Sequence, residues 1–111
     1  MAQLKPIRNH QKAISLLTAA GNRGRQEVRL GYATYLRIGA TGQPTIFHHG
    51  NPIVVYTHEG GRCGNAGWHS RTTAERLDEY TPYQWRIRNG SHQFRKHSEE
   101  KWKPYCEVLN F

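Results

Sequence analysis

Apolar and polar positions change period along the chain, from a helical repeat near the N-terminus to strand-like alternation after Glu27, then back to a helical segment ahead of a final hairpin. Ile7, Ile14 and Leu17, with Ala13 and Ala20, recur at helical spacing until Gly21, and Pro6 suits a first turn, where its missing N–H has no partner to lose. This predicts an amphipathic helix over about 7–20 with Arg8, Gln11, Lys12 and Ser15 on its polar side. Asn22-Arg23-Gly24-Arg25 follows as a basic connector. From Val28 the period becomes two: Val28, Leu30, Tyr32, Thr34, Leu36 and Ile38 alternate with more polar neighbours, which predicts one long strand bent at Gly31. Turns at Ala40 to Pro44 and Gly50-Asn51-Pro52 then separate strands at Thr45 to His49 and Ile53 to His58, giving an antiparallel meander. The glycine-containing stretch Arg62 to Trp68 is either a short edge strand or a long loop.

Thr72-Thr73-Ala74-Glu75 fits a capping box, in which the Thr72 hydroxyl takes the Glu75 N–H and the Glu75 carboxylate reaches back, so a short helix is expected from there to about Tyr80, stopped by Pro82. The strongest local signal is Asn89-Gly90 between Gln84 to Arg88 and Ser91 to Arg95, which predicts a two-residue type I′ hairpin. In that register Trp85 faces Phe94 and Ile87 faces His92, so the other face carries Arg86, Arg88, Gln93 and Arg95. A last strand is expected around Tyr105 to Leu109. The fold class is therefore α+β: an antiparallel sheet of about five to six strands, with an N-terminal helix and a short second helix before a C-terminal hairpin. A chain of 111 residues holds one core, so 1–111 is expected to be a single domain, with a basic helix and connector over 1–25 and a β-rich core over 26–111.

Charge changes the functional picture more than composition does. Apolar residues make up 36% of the chain and charged ones 22%, enough to fold rather than remain a disordered polyelectrolyte. The formal net charge is +8, and the first 26 residues contain no acid while carrying Lys5, Arg8, Lys12, Arg23 and Arg25. Such a field favours a polyanionic partner without specifying the fold. No stretch approaches the roughly 20 apolar residues of a membrane span, and no secretory h-region is present, so a cytoplasmic protein without a membrane partner is expected. Cys63 and Cys106 are far apart with no CxxC spacing, which indicates two unrelated thiols rather than a disulfide framework.

Candidate chemistry is sparse. His48, His49, His58, Cys63 and His69 fall close together, but His58-x4-Cys63-x5-His69 matches no common zinc spacing, so no metal and no cofactor are expected. The eight acids form no obvious acid–base pair: Glu75, Asp78 and Glu79 share one short helix and are most simply a solvated face near Arg71 and Arg76. No nucleophile elbow or phosphate loop is present, and a non-enzymatic role is expected, with no catalytic residues. A nucleic-acid or partner contact is expected at Arg86, Arg88, Gln93, Arg95 and Lys96, extended by His97, Lys101 and Lys103, with Arg23 and Arg25 as candidates to join them. Trp85 and Phe94 belong to the core by default.

Tyr35-Leu36, His49 to Tyr56, Gly67-Trp68-His69-Ser70-Arg71-Thr72-Thr73 and Arg76-Leu77 resemble a set of small bacteriophage-encoded β-rich proteins. Those proteins share a strand-rich segment ending in a Gly-Trp-x-Ser/Thr-x-Thr-Thr-x-x-Arg-Leu/Ile helix start. The resemblance covers about residues 33–95, and Arg62 to Ala66 departs from it. It implies a phage or mobile-element origin, a small β-rich fold and no catalytic residues to carry over. Two functions follow as expectations: an accessory protein that binds DNA or RNA through a basic surface, or an interaction module that binds an acidic host protein and inhibits or redirects a host or defence enzyme. For a phage-encoded chain the expected place of action is the host cytoplasm. A meander in so small a chain also leaves strand edges through which a homo-oligomer could form.

Overall fold

A side-chain cap sets the first element. In the computed structural model, which describes Ile7 and residues 9–111, the Asn9 carboxamide accepts the Lys12 N–H at 2.8 Å and opens helix α1 at His10–Gly21. The helix therefore starts later than the apolar repeat suggests, and the expected contributions of Lys5, Pro6 and Arg8 lie outside the described residues. Ala13 and Ala20 are buried and Leu16 and Leu17 partly so, while Ile14, assigned to the inner stripe by spacing, is 36% exposed.

The long strand expected over 28–38 is a hairpin. Strand β1 (Glu27–Gly31) and strand β2 (Thr34–Ile38) pair antiparallel around Tyr32-Ala33, with Ala33 at φ 51 and a bulge between Arg29 and Gly31. The bulge makes Val28 face Leu36, even number against even number, so the period-two pattern runs through the turn unbroken. Tyr32 and Ile38, which share the parity of buried Leu36, are 67% and 49% exposed. Strands β3 (Pro44–His48), β4 (Asn51–Thr57) and β5 (Gly60–Cys63) continue the meander, with β3 and β4 joined at His49-Gly50 rather than at Gly50 to Pro52. Thus the uncertain stretch after Arg62 contains the end of β5 and then a loop.

Helix α2 (Arg71–Tyr80) is capped by Ser70, whose hydroxyl accepts the Thr73 N–H at 3.2 Å. The Thr72–Glu75 box does not form, because Ser70 takes the N-cap position and Thr72 lies within the helix; the Ser70 carbonyl also accepts a hydrogen bond from His92 Nε2 at 2.8 Å. Strands β6 (Gln84–Arg88) and β7 (Ser91–Arg95) form the hairpin in the expected register, with Asn89 at φ 53 and Gly90 at φ 76. No single strand spans 105–109. The chain gives β8 (Lys103–Pro104) to β7 and β9 (Leu109–Asn110) to β5, crossing between them.

Two sheets result, a six-stranded one in the order β1-β2-β3-β4-β5-β9 and a three-stranded one in the order β6-β7-β8. The architecture is α+β, as expected, but the hairpin forms its own sheet instead of extending the meander. Leu36, Ile46, Val54 and Cys63 lie in one cross-strand row on the inner face, and Ile7, Ala13, Ala74, Leu77, Tyr80 and Trp85 complete the core against them. The hairpin's apolar side, Trp85 with Phe94, packs into the same core, which leaves its arginine side outward.

Candidate nucleic-acid interface

Cross-strand pairing places an arginine opposite a glutamine twice on the outer face of the hairpin: Gln84 faces Arg95 and Arg86 faces Gln93. Each arginine Nε donates to its glutamine Oε1 at 2.7 Å. Both guanidinium groups also lie over the ring of Trp102, at 4.4 Å for Arg86 and 4.2 Å for Arg95. Side chains that would otherwise lose several rotors on binding are thereby fixed beforehand. None of Arg86, Arg88 and Arg95 forms an ion pair with a carboxylate among the described residues, and the terminal nitrogens of Arg86 have no hydrogen-bond partner there. Partial desolvation, then the like charges of Arg88 and Arg95, lower the Arg86 pKa from its ordinary value. A guanidinium stays charged at neutral pH regardless.

The other candidates are distributed around this face. Lys96, His97 and Lys101 are exposed beyond the end of β7, and Lys103 pairs with Phe94 through β8. Glu100 tempers this group, reaching His97 at 3.9 Å and Lys103 at 3.8 Å. Arg23 and Arg25 are exposed in the connector between α1 and β1, where Arg25 shares a hollow with Leu17, Glu27, Arg37 and Ile38 and with no hairpin residue. The structure therefore groups the hairpin arginines and leaves the connector pair in a different setting. Spacing gave no hint of Trp102, because an exposed Lys-Trp-Lys run carries no sign of the strand β8 that follows and turns the ring onto β6 and β7.

The outer face of the large sheet offers a second concavity. Arg37, Thr45, Val55 and Arg62 lie in one cross-strand row there, beside Phe47, and the segments 64–67 and 105–108 wall a cleft of about 650 Å³. Its lining is mostly apolar. The Arg62 guanidinium at its wall has no hydrogen bond or ion pair among the described residues. Arg37 lies 4.2 Å over the Phe47 ring.

Two buried histidines, His48 and His92, are used structurally. His92 Nε2 faces the Ser70 carbonyl at 2.8 Å, so that nitrogen carries the proton, and Nδ1 accepts from Asn65 Nδ2 at 3.0 Å. The Asn65 amide is oriented in turn by the Gly67 N–H on its Oδ1 at 2.9 Å. Thr34 Oγ1 donates to the Tyr32 carbonyl at 2.7 Å, so His48 Nδ1–H must donate to it at 3.0 Å, leaving His48 Nε2 buried as a bare acceptor. Among the described residues no three His, Cys, Asp or Glu side chains gather to hold a metal ion. Burial pushes the Cys63 thiol up to about 12, which keeps it protonated and a poor nucleophile. The helical acids are committed in part: Asp78 accepts the Trp85 N–H at 2.9 Å, and Glu79 pairs with Arg76 at 2.6 Å.

These histidines make stability sensitive to acid. Burial, then His49 and Arg76, depress the pKa of His48. Burial also depresses that of His92, reinforced by His69 and opposed by the hydrogen bond to Ser70. The unfolded chain protonates near the ordinary value of about 6.5 and the folded chain only at lower pH, so stability is full above that value and declines as pH falls through the window below it. The denaturation midpoint is expected to drop between about pH 7.5 and about pH 5.5, less so in His92→Gln; a midpoint unchanged over that interval would contradict the assignment.

Among the described residues no helix is long and apolar enough to cross a membrane. No curated protein and no solved structure matches the chain. The family described as Kyanoviridae Gp96 protein matches residues 12–104, a span that runs from within the first turn of α1 to the end of β8 and so includes most of α1, all of α2, the Gly67-Trp68 segment and the arginine hairpin. Covering most of the chain, and agreeing with the phage resemblance of that segment, the match shows that the chain belongs to the Kyanoviridae Gp96 family of phage proteins.

Proposed function

We propose that this protein is a non-catalytic phage accessory protein that binds nucleic acid through the outer face of the β6–β7 hairpin. One observation carries the reading: Arg86, Arg88 and Arg95 share a sheet face without a carboxylate partner among the described residues, two of them pre-oriented by glutamines and by Trp102. A guanidinium fork matches phosphate oxygens in a way that an ammonium does not, and pre-orientation removes part of the entropic cost of using it. Lys96 would add an exposed charge just beyond the end of β7, and Arg23 and Arg25 a separate contact.

Binding of this kind depends on released counterions. Affinity for labelled single- and double-stranded oligonucleotides, followed by fluorescence anisotropy, is expected to fall linearly with salt on a log–log plot, with a slope of about one per phosphate neutralised. Arg88→Gln should lower that slope by about 1 for every sequence alike. Absence of binding at low salt, or full binding by the combined Arg86→Gln, Arg88→Gln and Arg95→Gln variant, rejects the proposal.

The apolar cleft on the large sheet favours a second reading, in which the protein docks on a host or defence enzyme and inhibits or redirects it. A host protein retained on the immobilised chain after nuclease treatment, and lost in Val55→Glu, would support it over the first.

A further inference from the structure

We infer that the end of the large sheet bearing Tyr32, His49 and Trp68 is a stacking platform for unpaired nucleobases, which makes single strands the preferred ligand; this rests on the nucleic-acid reading of the hairpin. The meander places the Tyr32-Ala33 and His49-Gly50 turns at the same end, and the His49 N–H donates to the Ala33 carbonyl at 2.8 Å, locking one turn to the other. Trp68 is brought there by the loop after β5, with its N–H on the Asn65 carbonyl at 2.8 Å and Gly67 at φ 85. The rings adjoin. Tyr32 and His49 centroids are 5.6 Å apart, and His49 and Trp68 are 6.4 Å apart with planes inclined by 29°.

Burial does not account for these side chains. Trp68 is 53% exposed, Tyr32 is more so, and His49 is also exposed. Nor does turn geometry explain His49: at φ 50 ahead of Gly50 at φ 79 it holds the first central position of a type I′ turn, which asparagine suits better. Three aromatic rings thus stand in solvent on a backbone fixed by hydrogen bonds.

Charge around the platform suits a phosphate chain. Arg71 is exposed three residues after Trp68, and the first turn of α2 carries no acid. The same loop is joined to the basic hairpin through His69 and His92, whose rings are 5.4 Å apart, and Arg71 lines a groove with Arg86. Glu75, Asp78 and Glu79 lie further along that groove, so a strand passing from platform to hairpin would have to skirt them. Stacking on aromatic faces is sequence-tolerant, and the bases of an intact duplex cannot offer their faces to it.

The test is anisotropy with a single-stranded and a duplex oligonucleotide of one length at fixed salt, on full-length protein whose melting temperature matches the parent. Trp68→Ala is expected to weaken single-strand binding by about ten-fold or more, to leave duplex binding and the salt slope unchanged, and to be largely rescued in Trp68→Phe. Tyr32→Ala should act in the same direction. Equal loss on both ligands, or no loss on either while the arginine triple variant loses binding, would overturn the platform and leave the hairpin reading intact. No binding by the parent protein to either ligand would overturn both, whether or not these variants release a protein partner.

Discussion

Replacing Tyr56 with alanine is expected to lower the unfolding free energy by about 3–5 kcal/mol, the range for removing a buried aromatic ring. Tyr56 has no exposed surface, and its ring lies edge-on to Phe111. Its hydroxyl stands 2.7 Å from the Ile7 carbonyl and 2.6 Å from that of Tyr80, so one phenol on β4 holds both the segment before α1 and the end of α2. Two effects are separable. Tyr56→Phe keeps the ring and removes the donor, leaving those carbonyls poorly satisfied at a cost of about 1–3 kcal/mol. Chemical denaturation of the two variants measures both, and an alanine variant within about 1 kcal/mol of the parent would show that this ring does not organise the core.

Asn89-Gly90 fixed the hairpin because both residues take positive φ, a requirement contained in two adjacent letters. From that turn the pairing of Trp85 with Phe94 and the outward row of arginines follow with no further information. The β1–β2 hairpin was illegible for a physical reason: neither Tyr32 nor Ala33 is a turn former, and the bulge keeps the alternation in phase across the turn. The cap of α2 differs from the expected one because Ser70, Thr72 and Thr73 all carry capping hydroxyls within four residues, and the helix opens at the first of them. The path from β8 to β9 follows from Phe111 and Tyr105 finding the core at a distance, which no window of sequence contains.

Legibility of the candidate interface divides along the same line. Strand parity about the Asn89-Gly90 turn puts Arg86, Arg88 and Arg95 together, whereas Trp102 reaches them through a two-residue strand too short to leave an alternating pattern. The aromatic end of the large sheet is harder still. Tyr32 shares the parity of buried Leu36, and only the turn at that position exposes it. Residues that take their role from loops meeting in space leave little periodic signal.

Gly60→Ala is expected to detach the C-terminal strand and cost about 3 kcal/mol. Gly60 has φ 140, a region that only glycine enters without strain, and a methyl group there would overlap the Phe111 carbonyl oxygen. That carbonyl accepts the Gly61 N–H at 2.8 Å, and the Phe111 N–H returns to the Gly61 carbonyl at 2.8 Å. Neither backbone can retreat while both bonds persist. Moving Phe111 away also separates its ring from Tyr56 and Tyr83 and disturbs the Tyr83 hydroxyl bond to the Asn110 carbonyl at 2.6 Å. Two or three hydrogen bonds at about 1 kcal/mol each, with a partly buried aromatic ring, give the magnitude. Because detachment spends the contribution of Phe111 in advance, Phe111→Ala should destabilise the parent clearly and the Gly60→Ala background hardly at all, a coupling that a double-mutant cycle reads directly. Additive losses would mean that strand β9 stays docked and that the strain is absorbed elsewhere, and persistent protection of the Phe111 amide from hydrogen exchange in Gly60→Ala would say the same.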